Sequence, residues 1–315
     1  MLEISNLSIR YGSKEGGVRA LEGVNLRIED GSIFGIVGES GSGKSTLAMA
    51  LMRLLPKSGS VEGGQVLLDG QDILSMPDRE FRKLRGSKLS LVFQGAMNTL
   101  NPLMRIDIQV AEPLVLHGMS EKDAALQKAH ETLELVGLDA STWRKYPHEL
   151  SGGMKQRTVI ASAIITQPKV LIADEPSTAL DVITQVQIMN LLRSLQRRLY
   201  MTVIFISHDF PLVSEMSDRI AIMYGGKLCE TGRNDQIMHR PMHPYTVGLI
   251  NSVASIGNKR KLSAIPGDPV DMRNPPSGCR FRPRCSGATE KCASYGYAVT
   301  NVESEHDVYC TLYGN

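Results

Sequence analysis

The residues whose types and spacing point to chemistry begin with Gly38-Glu39-Ser40-Gly41-Ser42-Gly43-Lys44-Ser45-Thr46, which fits the pattern G-x-x-x-x-G-K-[ST]. Glycines let a backbone wrap closely around phosphates. Successive N–H groups leading into a helix supply positive potential at the same place. Lys44 is then set to reach β- and γ-phosphates, and the Ser45 hydroxyl to ligate Mg²⁺. Gly38, Ser40, Gly41, Ser42, Gly43 and Thr46 complete the cradle. A Gly/Ser-rich turn is the bland alternative, but this one lies between an apolar strand, Ile33–Val37, and a helix opening at Lys44. A second group closes Val170-Leu171-Ile172-Ala173-Asp174-Glu175, an apolar run ending in two carboxylates. Ligands sit at the carboxyl ends of parallel strands. Asp174 is placed there to hold Mg²⁺ through water, and Glu175 to polarise an attacking water. Alone, an acidic pair at a strand end is often a solvated turn.

A third group is Cys279, Cys285, Cys292 and Cys310, spaced C-x5-C-x6-C-x17-C. Four thiolates suit tetrahedral zinc or an iron–sulfur cluster. Structural zinc favours C-x2-4-C pairs, which this chain lacks, whereas wide spacing lets separate loop strands reach the corners of a cubane. Two disulfides remain an alternative in an oxidised sample. Arg280, Arg282 and Arg284 lie nearby in sequence and are expected to offset thiolate charge. Cys229 stands apart and reads as a small buried apolar residue in a strand.

The elements that must position these groups follow from periodicity. Residues 2–10 and 18–29 alternate as half-buried strands do, and 61–68 and 89–93 read as further strands. A helix is expected over Lys44–Leu55, stopped by Pro56. Residues 106–117 and 120–136 have helical period, with Ser120-x-x-Asp123 as a capping arrangement and Ala125, Ala129, Leu133 and Val136 on one face. The α/β pattern then resumes with strand 170–173, helix 182–199, strand 202–206 and a strand pair near 219–223 and 227–230. Beyond about residue 255 prolines and cysteines replace regular pattern. The 315 residues therefore read as two domains, or one with an appendage. Lys and Arg number 35 against 33 Asp and Glu, a net charge of +2 that argues against a dedicated nucleic-acid binder. No stretch reaches the roughly 18 apolar residues of a membrane span, and the start lacks a secretory pattern, so a cytosolic chain is expected.

Further segments narrow the reading. Leu150-Ser151-Gly152-Gly153-Met154-Lys155-Gln156-Arg157 resembles the signature of ATP-binding-cassette (ABC) ATPases. Glu175-Pro176-Ser177-Thr178-Ala179-Leu180-Asp181 resembles their D-loop, Ser207-His208-Asp209 their switch histidine, and Val92-Phe93-Gln94 their Q-loop. Tyr11 lies where the family places an aromatic ring on adenine. The order is the family's, over roughly residues 1–250. His243-Pro244-Tyr245-Thr246, Ile265-Pro266-Gly267 and the run Pro276–Cys285 resemble the C-terminal extension of oligopeptide/dipeptide importers. Met154 and Gly95-Ala96 depart from the commonest family residues, without touching a phosphate-binding group.

The resemblance implies an α/β P-loop ABC core over 1–255. This core has an antiparallel β subdomain and a helical subdomain inserted at about 95–165, and it precedes a loop-rich cysteine extension over 256–315. It implies ATP and Mg²⁺ as cofactors, with Ser45, Gln94 and Asp174 at Mg²⁺, and Glu175, His208 and Gln94 as catalytic groups. Ser151, Gly152 and Gly153 would face ATP held by a second cassette, in a homodimer or heterodimer. It implies a [4Fe–4S] cluster on Cys279, Cys285, Cys292 and Cys310. It implies transmembrane permease subunits as partners, an extracytoplasmic solute-binding protein as an indirect one, and the cytoplasmic face of the membrane as location. The expected solute is a di- or oligopeptide, with oligosaccharide or nickel as alternatives within the same class. A non-transport ABC ATPase acting on nucleic acid or translation is the alternative of another class. A module built around the cysteine tail, with degenerate ATPase activity, is a further one, opposed by the intact Lys44, Glu175 and His208.

Overall fold

A computed structural model describes residues 1–13, 16–252, 264–294 and 299–313. The chain falls into two compact units. One comprises Met1–Ile28, Ile33–Leu74 and Phe205–Asn315; the other comprises Glu29–Ser32 and Ser75–Ile204. The expected boundary at 255/256 lies outside the described residues.

In the first unit, strands Leu2–Tyr11 (β1) and Val18–Ile28 (β2) run antiparallel. Their alternation buries Leu2, Ile4, Leu7 and Ile9 on one face. Strand Ile33–Val37 (β3) is buried at every residue, the pattern of a strand covered on both faces. It runs into helix Lys44–Leu51 (α1). That helix is shorter than the expected Lys44–Leu55: Arg53 takes a left-handed φ of 49°, which ends it before Pro56. Strands Gly59–Leu68 (β4) and Gln71–Asp72 (β5) complete a four-stranded antiparallel sheet in the order β2-β1-β4-β5.

The second unit begins with helix Asp78–Leu84 (α2) and strand Leu89–Val92 (β6). Helices Ile106–Leu116 (α3), Lys122–Leu135 (α4) and Gly152–Ile164 (α5) pack on one another. Ala125, Ala129, Leu133 and Val136 are buried, as the helical period requires. The expected Ser120–Asp123 cap does not form: Glu121 sits at the N-cap and no side chain closes it. Strand Val170–Asp174 (β7) pairs in parallel with β6, and helix Val182–Leu199 (α6) follows. Strand Thr202–Ser207 (β8), buried throughout, carries the chain from the second unit back into the first.

There the chain continues through helix Phe210–Met216 (α7), strands Arg219–Tyr224 (β9) and Lys227–Arg233 (β10), and helices Asn234–His239 (α8) and Pro244–Ser252 (α9). The cysteine-bearing tail adds helix Lys291–Ser294 (α10) and strands Thr300–Glu303 (β11) and His306–Val308 (β12). Strand β3 is parallel to β9, while β9, β10, β12 and β11 continue antiparallel. No helix among the described residues is long and apolar enough to cross a membrane.

Glu230, on β10, has no exposed surface. It accepts the backbone N–H groups of Met242 and His243 at 2.9 and 2.8 Å, and its Oε1 lies 2.7 Å from His306 Nε2 on β12. One side chain thus binds β10 to β12 and to the segment entering α9. Glu230→Ala should cost about 3–5 kcal/mol, because it leaves several buried polar groups unpaired. Thermal unfolding should show a Tm lowered by about 10 °C. A shift below about 2 °C would remove Glu230 from this role.

Candidate functional site

In the first unit the phosphate loop joins β3 to α1 as the sequence requires. Gly41 and Gly43 take φ of 76° and 100°. A side chain at Gly43 would also meet the Ala20 carbonyl at 2.7 Å, so only glycine fits. No side chain caps the start of α1, which leaves its first N–H groups turned toward the loop. Lys44 is buried, and its Nζ donates to the carbonyls of Gly38 and Glu39 at 2.7 and 2.9 Å and to Ser42 Oγ at 3.2 Å. The ammonium therefore lies within the loop it is expected to serve. Tyr11 donates from its hydroxyl to Thr46 Oγ1 at 3.4 Å, which brings the expected adenine platform to the same loop. His208 follows β8 on an exposed position, and Asp209 caps α7 by accepting from the Leu212 N–H.

In the second unit the structure joins Gln94 to Glu175. Gln94 Nε2 donates to Glu175 Oε2 at 3.2 Å, and Thr178 Oγ1 donates to the same oxygen at 2.8 Å. Glu175 has φ of 48°, a left-handed conformation rare for a residue with a side chain. Asp174 is buried at the end of β7. Ser151 caps α5 by accepting from the Met154 N–H, so this helix begins at Gly152 and exposes Gly152 at its first turn. A side chain on Gly153 would run into the Thr184 methyl on α6. Asp181 caps α6 with hydrogen bonds from Thr184, which hold its carboxyl below the usual range. The signature and the segment 175–181 are thus packed together.

The four tail cysteines line a single cavity, together with His243 and Phe281. No disulfide joins the five cysteines. Burial raises Cys285, and raises Cys310 to about 11. Burial also acts to raise Cys292, but hydrogen bonds from Thr311 and Thr289 bring it below its ordinary value. Among the described residues no group of three or more His, Cys, Asp or Glu is arranged to hold a metal ion. The expected ligand set of Cys279, Cys285, Cys292 and Cys310 is therefore gathered around one cavity without being a formed metal site. Cys292 Sγ is instead engaged by the Thr311 hydroxyl at 3.2 Å and by Thr289. The arginines also differ from expectation. Only Arg282 lines the cavity. Arg280 pairs with Glu22 and donates to the Gly225 carbonyl, and Arg284 pairs with Glu39. Cys229 is buried with a raised thiol, as a small apolar residue would be.

The family model of the ABC transporter matches residues 21–178, and that of the oligopeptide/dipeptide transporter C-terminal region matches residues 229–292. The chain is 42% identical to the dipeptide transport ATP-binding protein DppD of Caldanaerobacter subterraneus subsp. tengcongensis, over 99% of this chain and 97% of that one. It is 43% identical to the oligopeptide transport ATP-binding protein OppD of Bacillus subtilis, over 91% of this chain and 82% of the relative. Its fold matches the ATP-binding cassette MJ0796, in a dimeric post-hydrolysis state bound to ADP and Pi, with a TM-score of 0.66 and 31% identity. That match covers 74% of this chain and 99% of the other.

The chain belongs to the ABC transporter family. Within it, the C-terminal match places the chain among the ATP-binding subunits of the oligopeptide/dipeptide importer type, and its enzymatic class is that of an ABC ATPase. The ABC match takes in the phosphate loop, Gln94, the signature and the carboxylates Asp174 and Glu175, while Tyr11 and His208 lie outside it. The C-terminal match includes Cys279, Cys285 and Cys292 but stops short of Cys310.

Sequence reasoning missed Thr178 as the second partner of Glu175. Its spacing three residues beyond the carboxylate was the available signal. Thr178→Val removes one of two hydrogen bonds that orient Glu175. In this ABC ATPase it should lower kcat about tenfold with KM within a factor of about two, because orientation matters most in the transition state. An unchanged kcat in steady-state phosphate release would show that Gln94 suffices.

Proposed function

We propose that this subunit couples ATP binding and hydrolysis to the import of di- or oligopeptides. Lys44 and the loop amides hold the phosphates, Tyr11 packs on adenine, and Ser45, Gln94 and Asp174 hold Mg²⁺. Glu175 polarises the attacking water and His208 contacts the γ-phosphate. The observation that carries the reading is Glu175 at the end of β7, fixed by Gln94 and Thr178 in a strained backbone conformation. A carboxylate held at that strand end is suited to a general base, since strain of this kind persists where geometry is functional.

Ser151, Gly152 and Gly153 at the start of α5 serve the nucleotide of a second cassette, identical or homologous. The dimeric cassette bound to ADP and Pi supports that reading by analogy. The cassettes sit at the cytoplasmic face of the membrane beside permease subunits, and a solute-binding protein delivers peptide from outside. Support for the permease contact comes from the second unit, where Leu103 and Leu116 are 87% and 77% exposed and Ile108 and Met119 are exposed beside them. The names of the relatives support a peptide solute over oligosaccharide or nickel.

Glu175→Gln should abolish phosphate release, keep ATP binding and accumulate an ATP-bound dimer on size exclusion. Lys44→Ala should instead weaken ATP binding, because it removes a charge-assisted phosphate contact. Full turnover by the Glu175→Gln variant would overturn the assignment of the base. Cysteines placed at Asn98 or Asn101 should cross-link to permease in the assembled transporter, and absence of any adduct would remove the proposed docking face.

The same reading gives Cys279, Cys285, Cys292 and Cys310 a [4Fe–4S] cluster that cross-links the tail. It is supported by the cavity the four thiols share. Iron would have to displace the thiol protons of Cys285 and Cys310, as metal binding generally does. Anaerobic purification should yield a brown protein with about four irons and four labile sulfides per chain. A colourless preparation without iron would exclude the cluster.

A further inference from the structure

The segment Cys279–Cys285 reaches the phosphate loop through its arginines. Arg284 Nη1 donates to both carboxylate oxygens of Glu39, at 3.0 and 2.8 Å. The guanidinium is buried, and it stacks over the ring of Tyr224, its carbon 5.6 Å from the ring centre. Its Nε donates to the Pro266 carbonyl at 2.9 Å. Tyr245, with no exposed surface, packs against Tyr224 and accepts the Glu39 N–H on its hydroxyl at 3.0 Å. The Glu39 carbonyl in turn receives Lys44 Nζ at 2.9 Å. Glu39 occupies a variable position of the phosphate-loop pattern. Yet its N–H, its carbonyl and its carboxylate are all engaged, and two of these partners come from residues more than two hundred positions away.

A second strap runs beside the first. Arg280 donates to the Gly225 carbonyl, and the next residue, Gly226, donates its N–H to the Ser42 carbonyl at 2.9 Å. The segment bounded by Cys279 and Cys285 is therefore linked to the phosphate loop directly at Glu39 and, through Gly225 and Gly226, at Ser42.

We propose that Arg284 and Tyr245 are positioning residues for the phosphate loop, and that through Glu39 the folded state of the cysteine-bearing segment sets the loop's affinity for nucleotide. The loop is rich in glycine and serine, so its own sequence gives it little stiffness. A loop already fixed in its binding shape loses less entropy when it closes on phosphate. The charge-assisted bonds from one guanidinium nitrogen to both Glu39 oxygens, with Nε held on the Pro266 carbonyl, supply direction as well as attraction. Tyr245 adds a point of contact that does not depend on charge. The inference rests on residues 38–46 holding the nucleotide's phosphates.

The test measures Mg-ATP and Mg-ADP binding by calorimetry, together with steady-state ATP hydrolysis, on the full chain. Arg284→Ala and Glu39→Ala should each weaken nucleotide binding about tenfold, the effect of losing one charge-assisted pair. Tyr245→Phe should weaken it about threefold, as for one neutral hydrogen bond. KM should rise in step, while kcat at saturating ATP stays within about twofold. Arg284→Lys should recover only part of the loss, because an ammonium keeps the charge but cannot at the same time replace the Nε contact to the Pro266 carbonyl. The double variant Arg284→Ala/Glu39→Ala should bind no more weakly than either single variant, since both remove the same link. A merely structural role would lower Tm and kcat together and leave the two effects additive. Should Arg284→Ala unfold the tail, Tyr245→Phe and Glu39→Gln keep the question open to measurement. Binding within twofold of the parent in both of those variants overturns the proposal. Lys44→Ala is the control. If the parent chain binds no Mg-ATP and Lys44→Ala changes nothing, the nucleotide reading of residues 38–46 fails, and this inference fails with it.

Discussion

The phosphate loop of this ABC ATPase is tied into its shape by bonds within it and by partners elsewhere in the first unit. Residues 38–43 contain three glycines and two serines. Two of the glycines adopt left-handed φ, which suits phosphate binding but supplies no stiffness. Rigidity comes from Lys44 within the loop and from partners outside it. The ammonium of Lys44 draws the Gly38 and Glu39 carbonyls inward, Gly226 holds Ser42, and Arg284 and Tyr245 hold Glu39. The aromatic cluster of Tyr224, Tyr245 and Phe281 gives those last two partners a packed base. Its rings pack edge-on or tilted, the arrangements their quadrupoles favour.

The second unit meets the opposite requirement. A carboxylate at the end of a strand has little to direct it once pairing stops. Here the chain turns sharply at Glu175, in a conformation that costs about 1–3 kcal/mol for a residue with a side chain. The hydrogen bonds from Gln94 and Thr178 converge on one carboxylate oxygen, Oε2, and so fix the direction of the carboxylate. The helix caps at Ser151 and Asp181 do similar work nearby. Each fixes the start of a helix at a family motif: Ser151 opens α5 within the signature segment, and Asp181, the last residue of 175–181, opens α6.

The legible parts of this molecule were those governed by local rules. The phosphate loop, the strand ending at Asp174 and the helix Val182–Leu199 follow from periodicity and glycine placement, and the structure has them where the sequence predicts. The Ala125–Ala129–Leu133–Val136 face was legible for the same reason. Local signals also misled at two helix ends. Ser120 and Asp123 satisfy a capping pattern, but the chain enters α4 from Glu121. Pro56 suggested the end of α1, but Arg53 had already turned the chain. What was not legible was long-range pairing. Nothing near Glu39 announces Arg284, 245 positions away, and nothing near Gly225 announces Arg280.

That reassignment of the arginines changes the electrostatics of the tail. In sequence they alternate between Cys279 and Cys285, which suggests a counter-charge for thiolates. In space Arg280 and Arg284 turn away to carboxylates of their own, Glu22 and Glu39, and Arg282 alone stays at the cavity. Burial pushes the Cys285 and Cys310 thiols up. Cys292 is the exception, because Thr311 and Thr289 direct hydrogen bonds at its sulfur and the charge of Arg282 adds to them. The cavity is thus chemically uneven, with one sulfur prepared for negative charge and two that acquire it only against a strong positive partner. Arg284 serves the phosphate loop instead, and Arg280 holds the Gly225 carbonyl next to the residue that binds Ser42, so the tail's contribution to nucleotide chemistry is mechanical.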